Sequence, residues 1–274
     1  MFRNAAHVAR TRICMAGRHG MIWRLSGALL LALAAASPSR GETHCRQIEF
    51  EENSYAVCSL DPRQTSIELH WRNGEGAPHR SFSALAGALA DEGAELSFAM
   101  NGGMFQTDFT PVGLHVERGV ELRPLNRYDP PAELRPVPNF YKKPNGVFFV
   151  TPTGAGVVTS EQYRSQSPEV LHATQSGPML VIEGDLHPAL IEGSRDRTWR
   201  TGVGVSDDGL VHFAISLAHV NFHDFARLFR DGLASDNALF LDGGRGTGLY
   251  APELGRNDFS WHGGFGPIIG AVQR

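Results

Sequence analysis

From Ala238 to Gly248 the chain reads Ala-Leu-Phe-Leu-Asp-Gly-Gly-Arg-Gly-Thr-Gly, four apolar residues running into an acid and a glycine-rich turn. A short apolar run bounded by glycines predicts a buried strand. Asp242 then stands where that strand leaves the core, on a loop whose glycines let a ligand approach the backbone. Leu96 to Phe105 repeats the pattern, with Asn101 followed by Gly102 and Gly103. Two buried strands that each end in a polar residue and a glycine pair predict one site assembled from two loops. Asp242 and Asn101 stand at its centre, with Gly102, Gly103, Gly243 and Gly244 around them.

The first 41 residues read as a leader rather than as fold material. Trp23-Arg24 precedes an apolar run from Leu25 to Ala36, followed by the small residues and arginine of 37–41. A basic flank, a short apolar core and small residues describe a secretory signal peptide, with Met21 as a second possible start. The run is too short for a permanent membrane span, so no stable membrane insertion is expected. Cleavage would remove six of the 25 lysines and arginines and none of the 29 acids, leaving a formal charge of −10. With no basic block left, nucleic acid is not an expected partner. Export predicts a periplasmic or secreted protein and an oxidising compartment. Cys45 and Cys58 flank two strand-like runs around Glu51-Glu52, and a tight hairpin there pairs positions summing to 103, as 45 and 58 do. They are expected to form a disulfide.

The rest of the chain carries many short strands and few helices. Strand patterns fall at 66–71, 112–117, 120–122, 147–150, 157–158, 176–181, 200–205 and 210–215, and helical patterns at 83–91 and 221–233. In the second helix Phe222, Phe225, Leu228 and Phe229 share a face behind Asn221 as its cap. The five prolines between 124 and 138 mark a surface loop, either a lid or a plain connection. The expected fold is α+β, one domain with a mixed, largely antiparallel sheet core. In it 42–93 supplies an N-terminal hairpin and helix packed on the catalytic region 94–274.

Arg200 opens a strand beside Thr201 and Gly202, a setting suited to holding a phosphate or carboxylate, or to plain surface. His219 and His223 have the spacing of two ligands on a helix face, but Val220 stands where a zinc-protease helix has glutamate. No metal or other cofactor is therefore assigned. Ser176 lacks the surroundings of a serine-hydrolase elbow.

Six pieces of the chain occur in an order that resembles the phosphodiester glycosidase family over about residues 94–272. They are Ala99–Phe105, Pro111–Gly113, Lys143–Phe148, Gln175–Pro178, Arg200–Gly204 and Leu241–Gly244. Members of that family commonly continue the last piece as Gly-Gly-Gly-Ser, where this chain has Gly243-Gly244-Arg245-Gly246. The resemblance implies hydrolysis of a sugar-1-phosphodiester to free sugar and phosphomonoester, with a small-molecule or glycan phosphodiester as the partner. It implies Asp242, Asn101 and Arg200 as catalytic residues. Gly102, Gly103, Ser176, Gly177, Thr201, His219, Gly243 and Gly244 would bind substrate, and Asp108 and Glu117 are candidate second carboxylates. Two other classes compete. One is an envelope glycan-binding module that stacks sugars on Trp71, Trp199 and Trp261. The other is a metal-dependent hydrolase using His219, His223 and Asp242.

Overall fold

Glu51 and Glu52 both take left-handed backbone angles (φ 47° and 62°), as a two-residue hairpin turn requires. The turn pairs β1 (His44–Phe50) with β2 (Asn53–Leu60) so that Cys45 lies opposite Cys58. The two form a disulfide, as the sequence predicts, with Cα atoms 4.0 Å apart. This computed structural model describes residues 43–274, so the expected leader lies outside the described residues.

The hairpin is the edge of a seven-stranded sheet, in the order β1, β2, β13 (Val211–Ser216), β12 (Arg200–Ser206), β14 (Ser235–Gly243), β10 (Met179–Ile182) and β11 (Asp185–Leu186). A second sheet runs β16 (Arg256–Asn257), β15 (Leu249–Ala251), β4 (Glu95–Asn101), β17 (Ile268–Gln273) and β3 (Ser66–His70). A third runs β6 (Val120–Arg123), β5 (His115–Glu117), β9 (His172–Ser176), β7 (Gly146–Thr151) and β8 (Gly154–Thr159). Every strand pairing among the described residues is antiparallel. The fold is thus α+β, as expected.

The main core lies between the sheets and draws on all three, for example Cys58, Val203 and Leu241, then Phe98, Met100 and Ile269, then Phe148 and Val157. Helix α1 (Phe82–Asp91) covers the outer face of the second sheet. Ser81 caps it by accepting from Ala84 N, and Phe82, Leu85 and Leu89 turn inward. Each such buried side chain contributes roughly 1.5–3 kcal/mol. A short helix α2 (Ser160–Gln166), with a capping box at Thr159 and Gln162, follows β8. Helix α3 (Phe222–Arg227) is capped by Asn221 and continues as a wider turn through Gly232. Its apolar face, Phe222, Phe225, Leu228 and Phe229, covers the outer face of the first sheet, as the sequence spacing predicts. The proline-rich stretch 124–138 carries no strand or helix.

Candidate active site

Strands from three sheets end at one place, and polar side chains tie them together. Asn101, the last residue of β4, is buried and donates through Nδ2 to Thr201 Oγ1 at 2.8 Å, which links the second sheet to the first. Its Oδ1 accepts from Gly248 N. Ser176 at the end of β9 donates to Leu241 O at 2.8 Å, linking the third sheet to the first. Thr174, two residues earlier, donates to Gly102 O at 2.7 Å and links the third sheet to the second. All these groups are buried, so losing one partner would leave the other unsatisfied at a cost of about 1–3 kcal/mol.

Asp242 is aimed by an irregularity in β14. Phe240 lies opposite Gly202 and Asp242 opposite Thr201, so Leu241 is one residue extra. Such a bulge re-aims the side chains that follow it. Thr201 Oγ1 donates to Asp242 O at 3.1 Å, which fixes the backbone, and Gly243 N donates to Asp242 Oδ1 at 2.7 Å. Desolvation pushes the carboxyl up from 3.8 to about 7, and the Gly243 N–H opposes this only in part. Gly246 makes room for this carboxylate: a Cβ there would lie 2.9 Å from Asp242 Cγ and closer still to Oδ2. Strongly perturbed carboxyls in clefts mark functional sites.

The carboxylate lines a cleft of about 650 Å³. One wall is the loop after β4, with Met104, Phe105, Gln106, Thr107 and Phe109; the other is Pro138, Phe140 and Tyr141, with His262 at the margin. The proline-rich stretch therefore ends as a wall of the cleft. Phe140 is held by Asn145, which donates to its carbonyl at 3.0 Å. Gly177 packs flat on the same asparagine, where a Cβ would come within 2.6 Å of Asn145 Cβ. The guanidinium of Arg80 lies over the Phe109 ring at 4.5 Å and donates to Gly263 O, beside His262.

The structure brings Asp242, Asn101, Thr201, Ser176 and the glycines 102, 103, 177, 243 and 244 into this one region. Of these, only Asp242 and Gly243 line the cleft. Asn101, Ser176 and Thr201 are buried beneath it as ties between sheets. Arg200 and His219 stand apart. The pairing that puts Thr201 opposite Asp242 puts Arg200 opposite Gly243, hence on the other side of the sheet. There its guanidinium stacks on Phe222 at 3.5 Å, and its Nε and Nη2 donate to Val220 O and Asp196 O. Burial pushes it down to about 10, with Asp196 opposing. The sequence places no such restraint on Arg200; the structure buries it. His219 is exposed, its ring centroid 4.2 Å from that of Trp199 in an edge-on arrangement. Asp108 is exposed and caps Thr110 N, and Glu117 pairs with buried His115 at 2.7 Å. Neither lines the cleft. Among the described residues no three His, Cys, Asp or Glu side chains gather as a metal site, so His219, His223 and Asp242 do not converge.

The sequence reading missed the aromatic walls, Gly246 and His262. A signal for the last was present: His262-Gly263-Gly264 repeats the polar–Gly–Gly pattern of the other two loops, but no apolar strand leads into it.

A desolvated carboxylate in a cleft at the converging ends of three sheets marks the candidate functional site of this α+β fold. The sequence profile of phosphodiester glycosidases matches residues 94–266. The chain belongs to the phosphodiester glycosidase family. It is 30% identical over 185 residues to the uncharacterized protein YigE of Escherichia coli (strain K12), covering 68% of this chain and 70% of that protein. Its fold is similar to the catalytic domain of zebrafish N-acetylglucosamine-1-phosphodiester alpha-N-acetylglucosaminidase, auto-inhibited by its pro-peptide. That likeness has a TM-score of 0.58 at 15% identity and covers 88% of this chain and 85% of that one. A hypothetical protein from Synechocystis shares the fold at a TM-score of 0.52 and 14% identity, over 85% of this chain and 62% of that one.

Proposed function

We propose that the protein hydrolyses a sugar-1-phosphodiester, releasing free sugar and a phosphomonoester. The observation that carries this reading is Asp242, the one carboxylate lining the cleft among the described residues, held near neutrality by desolvation. Water adds to the anomeric carbon and the bond from that carbon to the phosphate oxygen breaks. The electron pair leaves with the phosphate, whose anion is stable without a proton, so a second, acidic carboxyl is not required. Asp242 takes the proton of the water and faces the positive charge that develops on the ring. A carboxyl near 7 is a stronger base than an ordinary one and is still ionised in half the molecules at neutral pH. Gln106 and Thr107 offer polar groups on the wall that follows β4 and His262 offers one at the margin, with the Arg80 guanidinium behind Phe109. Arg200 acts at one remove, locking β12 beside the strand that carries Asp242. The Cys45–Cys58 disulfide supports action outside the cytoplasm, in the periplasm or beyond.

The test is incubation with a panel of sugar-1-phosphodiesters and analysis for both products. Release of sugar and phosphomonoester by the protein, abolished in Asp242→Asn, is the expected result. No turnover across the panel, or turnover that survives the substitution, overturns the reading.

A further inference from the structure

A second hollow, of about 330 Å³, lies across the Gly244–Thr247 strap from Asp242. Trp199, Phe259 and Trp261 line it, and their rings are 44%, 62% and 71% exposed. Scattered exposed aromatics need no explanation, but three gathered in one hollow mark an interaction site. They are not on free arms. Asp258 accepts from Leu249 N and donates to Leu249 O, which fixes the start of the loop to β15. Ser260 then donates to Arg245 O and accepts from His262 N. Phe259 and Trp261 hold their rings 4.7 Å apart. Trp199 is braced edge-on by His219, the histidine that the cleft leaves unused.

The hollow and the cleft share a thin wall. Arg245 lines the hollow and Gly246 the cleft; Trp261 lines the hollow and His262 the cleft. The linings alternate at 245–246 and at 261–262, so the hollow and the cleft adjoin. The lining has a definite chemistry. Aromatic faces are accompanied by Arg245, Asn257 and the Arg256–Asp258 ion pair. Arg256 Nη1 is buried and has no hydrogen-bond partner. A pyranose ring presents a face of C–H groups and a rim of hydroxyls. It stacks on the first kind of surface and hydrogen-bonds to the second. A bare phosphate would leave the rings unused, and a lipid chain would leave the polar groups unpaired.

We infer that the hollow formed by Trp199, Phe259 and Trp261 is a glycan subsite. It takes a sugar ring of a saccharide bound beside the cleft. This rests on the reading of the Asp242 cleft as the reacting site. The test is a titration of tryptophan emission with oligosaccharides of glucose and of N-acetylglucosamine, two to six units long. It uses the full chain carrying Asp242→Asn, with and without Phe259→Ala. A saturable change is expected, weakened at least about tenfold by Phe259→Ala while the melting temperature stays the same. No saturable change with any of these sugars, or an affinity that Phe259→Ala leaves unaltered, overturns the subsite. The titration reads binding without turnover. A protein that binds these oligosaccharides but hydrolyses no phosphodiester would refute the hydrolytic reading and leave the subsite standing.

Discussion

Asp242→Asn should remove activity and make the protein more stable, but only where Asp242 is ionised. Asparagine keeps the shape of the side chain and the acceptor for Gly243 N–H. What it removes is a charge that the cleft does not solvate. A carboxyl moved from 3.8 to about 7 by burial carries up to about 4 kcal/mol against its ionised form, at 1.36 kcal/mol per decade. Asp242 keeps an edge open to the cleft, and solvent there offsets about half, leaving about 2 kcal/mol. Between pH 3.8 and about 7 the folded protein holds a proton that the unfolded chain has released. Its stability therefore falls as pH rises through this window, whereas asparagine does not titrate. The gap between variant and wild type should be small at pH 4, open up to pH 7, and stay flat above. At about 2–4 °C per kcal/mol for a domain of this size, the variant should melt about 4–8 °C higher at pH 8. Thermal melts of both proteins from pH 4 to 8, followed by circular dichroism, measure it. A gap independent of pH, or a variant less stable at pH 8, would refute the claim that the cleft desolvates this carboxylate.

Gly246→Ala should act on the same carboxylate from the other side, because the added methyl needs the space that Asp242 Oδ2 occupies. Displacing the base by about 1 Å should lower kcat roughly 100-fold, with about 1–3 kcal/mol lost from stability through overpacking; wild-type rates in this variant would show that the carboxylate need not stay where it is. Acid should weaken the fold through His172, which burial holds at about 4 instead of 6.5 and which accepts Leu69 N–H through Nδ1. The stability of the neutral ring is fully present above pH 6.5 and is lost as pH falls through about 4, up to about 3 kcal/mol; a plot of unfolding free energy against pH whose slope in that window is unchanged in His172→Asn would contradict this.

Much of the fold was legible because its signals are local. The Cys45–Cys58 hairpin followed from a turn and a sum of positions, and α3 from the spacing of Phe222, Phe225 and Phe229. The loops around Asn101 and Asp242 followed from apolar runs that stop at polar–Gly–Gly. What sequence could not supply was the side of the sheet on which a residue falls. From its neighbours alone Arg200 reads as a holder of phosphate or carboxylate, or as plain surface. The pairing of β12 with β14 turns it away from Asp242 and onto Phe222. The Leu241 bulge is equally unreadable, since one extra residue in a strand leaves no mark in its composition. Strand β17 (Ile268–Gln273), paired on both sides, was missed because Gly270 interrupts its apolar run.

Most of the motif residues do not touch the cleft. Asn101, Ser176 and Thr201 use their hydrogen-bonding capacity on one another's strands and loops, across the boundaries between three sheets. A carboxylate on a single loop could drift by an ångström at little cost. Asp242, at the end of β14, is held through Thr201 by Asn101, and through Leu241 by Ser176, so moving it would break buried hydrogen bonds to two other sheets. Desolvation raises the basicity of Asp242 but also drives the ionised form toward water. The sheet-to-sheet ties oppose that movement. The buried Arg200 adds to them from the other side, anchoring the start of β12 to Val220 and Asp196. The cleft walls, by contrast, are aromatic side chains on loops, free to differ in shape without disturbing this framework. Such a division between a fixed carboxylate and variable walls would let the proposed reaction be kept while the sugar it takes changes.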